Sequence, residues 1–124
     1  VDVAYPRSNE LLFRAITESG ALVSESPPGA QPLRHRFLIR NRLIAAASQG
    51  TVVVEARIRS GASATASHAA ALGRDVMAVP GSITSSSSAG CHQLIRDGAV
   101  LVTSASDVFE LVAGDMPRHT PLLE

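Results

Sequence analysis

The run PLRHRFLIRNRL sets Arg34, Arg36, Arg40 and Arg42 around Phe37, inside a stretch from Ser26 to Val54 that contains no Asp or Glu. Guanidinium groups carry their charge at any biological pH and present forked donors that match phosphate oxygens, and a phenylalanine among them offers a flat face for a base. These residue types point to the binding of a nucleic-acid backbone. A helix that carried arginines only for solubility would mix signs along its face to gain pairing between neighbours. Here no acid lies within ten residues N-terminal to Arg36 or C-terminal to Arg42. The interleaved Phe37, Leu38, Ile39, Leu43 and Ile44 require a core, so the arginines are expected to emerge at its rim.

Three further groups of residues invite a chemical reading. Ser60 and Gly61 open a helix after a valine-rich segment; Gly61 would let backbone approach a phosphate, with Ser60 or Thr65 supplying a hydroxyl, although a serine–glycine step is more often only a helix cap. Glu25 and Glu55 are expected to end two strands at one sheet edge, where pairing with a nearby arginine fits better than acid–base work, since no nucleophile, metal set or histidine partner stands beside them. The serines of the 82–88 run lack the G-x-S-x-G context of a nucleophile elbow. No catalytic constellation is visible. The single Cys91 forms no internal disulfide and shares no metal-ligand spacing with His35, His68, His92 or His119.

The elements that must hold these groups alternate. Helical spacing of Leu11, Leu12, Ala15 and Ile16 predicts a helix over 9–19, capped by Ser8 and closed by Gly20, followed by a short strand over 21–25. Prolines and a glycine make SPPGAQPL a loop before a helix over 36–49. TVVVE at 51–55 is the strongest strand signal, its consecutive valines predicting burial on both faces. A helix through 64–72, a strand over 75–79 stopped by Pro80 and Gly81, a helix over 90–97, a strand over 99–103 and a helix over 106–113 complete the pattern. Ser104 or Ser106 is expected to cap the last helix, with Asp107 in its first turn. Strands and helices alternating at this spacing predict an α/β domain, a Rossmann-like parallel sheet with helices on both faces. In such sheets ligands bind beyond the carboxyl ends of the strands.

With 124 residues, of which 45% are apolar and 18% charged, the chain suffices for one domain with its own core. All eleven basic residues are arginine, which genome composition explains as well as function does. No window is apolar for the roughly 18 residues a bilayer span needs, and the first residues lack the pattern of a signal peptide, so the expected location is the cytoplasm. VDVAYP reads as the end of a strand and its turn. The sequence is therefore expected to begin inside a longer protein, as the C-terminal half of a larger Rossmann-like domain. Leu123 and Glu124 read equally as native or as added residues.

The pieces VAYPRSNELL, SESPPG, PLRHRFLIRNRLIAA, VVVEARIRSGASATASHAA, GRDVMAVPG and SAGCHQLIRDGAVLV, in this order, resemble the DNA-processing protein A family (DprA, also called Smf), over nearly the whole of residues 1–124. The resemblance implies the second half of that family's Rossmann-like domain in a cytoplasmic homodimer. That dimer would bind single-stranded DNA and load the RecA recombinase during natural transformation, with no enzymatic step and no cofactor. It also implies a basic pocket on Arg34, Phe37, Arg40, Asn41 and Arg42, with Ser60, Gly61 and Thr65 alongside. Leu38 stands where the family often has proline, a departure that bears on the helix start. One alternative is a nucleotide sensor that uses the same anion-binding edge for a small ligand; another is a related Rossmann-like enzyme that cleaves nucleoside monophosphates with a Pro-Gly-Gly motif and a downstream glutamate. Here Ser82 follows Pro80 and Gly81, and no acid appears before Asp97.

Overall fold

A computed structural model describes residues 3–114, and the chain divides into two compact units, Val1–Arg40 and Asn41–Glu124. His119, Leu123 and Glu124 lie outside the described residues.

In the first unit a 3₁₀ turn, Arg7–Asn9, leads into α1, Glu10–Ser19. Ser8 sits within that turn, and Asn9 holds the cap position without a capping side-chain bond, so the expected serine cap is not made. Arg14 bonds Glu10 one turn back at 2.8 Å, and the Gly20 amide closes the helix on the Ile16 carbonyl at 2.7 Å. Residues 3–6 form no strand, and the strand expected over 21–25 is also absent. A strand exists only through its ladder, and residues 21–25 have no ladder partner among the described residues; Val23 accordingly stays 87% exposed. The second helix, α2, spans Arg34–Ala47 and carries the chain across the division between the units.

In the second unit β1 (Gly50–Val53), β2 (Asp75–Ala78) and β3 (Val100–Leu101) form a parallel sheet in the order β1-β2-β3. Gly50 is aligned with Asp75, and Met77 with Val100. The crossovers are α3 (Gly61–Ala71) and α4 (Ala89–Arg96), with α5 (Ala105–Ala113) last. Side chains alternate across a strand. Val53 and Ala78 therefore join Ala56, Ala66 and Cys91 in a core built with α3 and α4. Met77, fully buried, points the other way, where it and Val112 of α5 both reach within 3.5 Å of the place a Cβ on Gly50 would occupy. Helices thus cover both faces of a Rossmann-like sheet.

Burial of the valine run on both faces does not hold. Val53 is buried, while Val52 is 36% and Val54 65% exposed. The ladder ends at Val53, and the chain turns away so that the Ala56 amide bonds the Ser87 carbonyl at 2.8 Å. Glu55 consequently lies past the strand, and neither it nor Glu25 ends one.

Candidate nucleic-acid interface

Helix α2 begins at Arg34, two residues before its expected start. Leu38 permits this start, because a proline there would remove the amide with which a helix starting at Arg34 bonds back to its first carbonyl. The first turn bears no acidic residue. Arg34 and Arg40 are exposed. Arg36 is half-buried, and its Nη1 donates to the Gln31 carbonyl at 3.0 Å, which ties the helix start to the preceding loop. Phe37 lies between core and solvent. Its ring centroid is 5.6 Å from that of Tyr5 at a 40° tilt, the Arg40 guanidinium stands 5.8 Å from the ring, and 37% of the residue remains exposed. A cation over a ring gains electrostatic attraction, and here it holds the Arg40 head over a partly exposed ring.

Within the second unit, Asn41, Ser60, Gly61 and Thr65 come together at the start of α3, while Arg42 is exposed on α2. Asn41 is only 8% exposed, and its Nδ2 donates to the Gly61 carbonyl at 3.4 Å. The Thr65 hydroxyl donates to that same carbonyl at 3.1 Å. Ser60 caps the helix: its Oγ accepts from the Ser63 amide at 3.2 Å and lies 3.0 Å from the Ser63 hydroxyl. The sidechains of Asn41, Ser60 and Thr65 are therefore engaged in building the turn. What the turn presents outward is the positive end of the helix and the exposed backbone at Gly61, where the nearest atom to an added Cβ would be Asn41 Nδ2 at 3.8 Å. Such a terminus attracts anions through its free amides and dipole.

Sequence patterning missed His92. Its Nε2 accepts from the Gly81 amide at 3.1 Å, which fastens the loop after β2 to α4. The G-C-H step opening that helix was the available signal, but histidine at such a place is ambiguous without the fold. Gly81 is itself packed against the Ser88 side chain. Cys91 is buried with its Sγ directed to the Val53 carbonyl at 3.4 Å, and burial first, with the Glu55 charge adding, pushes its thiol pKa up. A thiol so placed is a poor nucleophile. Among the described residues no group of three or more His, Cys, Asp and Glu side chains converges as a metal site, and no helix is long and apolar enough to cross a membrane.

A model of the DNA recombination-mediator protein A family matches residues 1–113. The putative DNA processing protein DprA of Mycobacterium tuberculosis is 55% identical over 99% of this chain and 33% of its own length. The DNA processing protein DprA of Streptococcus pneumoniae is 48% identical, over 87% of this chain and 38% of its own. The X-ray structure of the latter protein superimposes with a TM-score of 0.82. DNA processing protein A from Helicobacter pylori, described for its unique single-stranded DNA binding mode, superimposes at 0.80 with 25% identity, over 92% of this chain and 53% of that one. The chain thus spans about a third of the length of the curated relatives it matches.

Proposed function

This chain belongs to the DNA recombination-mediator protein A family, and from that premise we propose that it is the part of a single-stranded DNA-binding recombination mediator that grips the phosphate backbone. The observation that carries the reading is the exposure of Arg34, Arg40 and Arg42 on one helix, in a window free of acids, with the Phe37 ring partly open beside Arg40. Arginines at such a surface hold phosphates, and an accessible ring seats a base without demanding a sequence. Asn41, Ser60, Gly61 and Thr65 contribute by shaping the α3 terminus, whose amides would take a further phosphate. The Helicobacter relative's single-stranded DNA binding supports the choice of ligand.

In this reading the whole protein acts in the cytoplasm as a homodimer that loads RecA during natural transformation and catalyses no reaction. The test is a titration of the full-length protein with oligothymidylate and, separately, with nucleoside monophosphates, assayed for release of free base. Tight, salt-sensitive oligonucleotide binding without base release is expected. Preference for a mononucleotide, or base release, would replace this reading with the nucleotide-binding alternative.

A further inference from the structure

The loop between β1 and α3 holds Arg57 and Arg59 exposed on either side of Ile58, which is itself 62% exposed. A surface loop of this composition is ordinarily free to move; this one is pinned along its backbone. The buried Ala56 donates its amide to the Ser87 carbonyl at 2.8 Å and accepts from the Gly90 amide at 2.7 Å. The Arg57 carbonyl accepts from the Ser63 hydroxyl at 3.3 Å. Gly90 is pressed so closely beneath that a Cβ there would stand 2.5 Å from both the Ala56 and the Arg57 carbonyl oxygens. Those neighbours are backbone and have no flexible end to yield.

The fold therefore holds this loop at its two ends, Ala56–Arg57 and Ser60, while its three successive side chains stay exposed. Holding an isoleucine in water between two guanidinium groups brings no folding gain, whereas fixing the loop beforehand lowers the ordering cost of binding. We propose that Arg57, Ile58 and Arg59 form a further contact element for single-stranded nucleic acid, the two arginines taking phosphates and Ile58 packing against the base or sugar between them. The exposed carboxylate of Glu55 lies two residues before this element and opposes it in sign, so the cations act through direct phosphate contact and not through a broad field. The inference rests on the proposed single-strand binding and adds residues outside the arginine helix. It names Gly90 as the residue that positions them.

The experiment uses the full-length protein and oligothymidylate, with affinity measured across a salt series. Each phosphate contact on a single strand contributes about 0.7 to the slope of log affinity against log salt. The R57A/R59A variant should therefore lose about 1.4 of that slope, with its melting temperature unchanged because both groups are exposed. Ile58→Ser should weaken binding roughly threefold to tenfold with the slope intact, and Ile58→Leu should restore it, since an apolar contact carries no counterion term. An unchanged slope in the double variant, with Arg40→Ala still lowering it, overturns the loop assignment and leaves the proposed function standing. Absence of oligonucleotide binding by the wild type overturns both.

Discussion

Phe37 is the side chain on which the site's character turns. A phenylalanine between Arg36 and Leu38 can fill a core or stay open to a ligand, and here its ring lies near Tyr5 and under Arg40 with about a third of the residue left exposed. Truncating a stacked ring costs about 1–3 kcal/mol of binding, with little dependence on sequence. Phe37→Ala in the full-length protein should accordingly reduce affinity for oligothymidylate and a mixed-sequence strand alike. Its melting temperature should fall by only a few degrees; a collapse of thermal stability with normal affinity would make the ring structural. Arg40 is expected to act through charge. Arg40→Ala should lower the salt slope by about 0.7, one phosphate on a single strand, and an unaltered slope and affinity would remove Arg40 from the interface.

At the scale of elements, α5 shows how local chemistry fixes a boundary. Ser104 Oγ accepts from the Asp107 amide at 3.2 Å, while Asp107 Oδ2 accepts from the Thr103 amide at 2.7 Å and the Ser104 amide at 2.9 Å, a complete capping box. Ser104→Ala should cost about 1 kcal/mol of stability, read from denaturant melts. The Thr103 and Ser104 donors hold the Asp107 pKa below the ordinary aspartate value. Its contribution is then fully present above that ordinary value and is lost as pH falls through the depressed native one. The melting-temperature gap between wild type and Asp107→Asn should be widest near neutrality and close in acid. This cap was legible as a choice between Ser104 and Ser106 with Asp107 in the first turn, and the Gly20 stop and the helix–strand alternation were legible too, because each depends on neighbours in sequence; of the two readings of Ser60, cap or phosphate contact, the structure shows the cap. The strand over 21–25 and the double-sided burial of the valine run were misread because ladder and coverage depend on partners that a local pattern does not contain. The arginine cluster was equally legible, but the use of Asn41 to hold the Gly61 carbonyl and the pinning of the Arg57–Arg59 loop by Gly90 are contacts across tens of residues and surface only in three dimensions.

For the whole molecule, a formal net charge of zero means that any attraction for a polyanion must come from how charge is distributed and not from its total. The opposite demand, for apolar contact, gathers on the β3–α5 side of the second unit. Val102 is buried there, yet Val100 is 41%, Leu101 49% and Phe109 72% exposed, and β3 is an edge of the sheet among the described residues. Clustered apolar exposure of this kind marks an interface more often than a defect, and a sheet edge left open invites pairing. We therefore expect self-association through residues 98–113. A two-fold contact presents one patch to its own copy, so a single introduced charge meets its twin across the axis. Phe109→Glu should convert a dimer into a monomer in sedimentation while the circular dichroism spectrum stays unchanged, because a side chain this exposed does little for the fold of its own chain. A wild type that remains monomeric at high concentration would refute the contact, and a variant that stays dimeric would place it elsewhere on the surface.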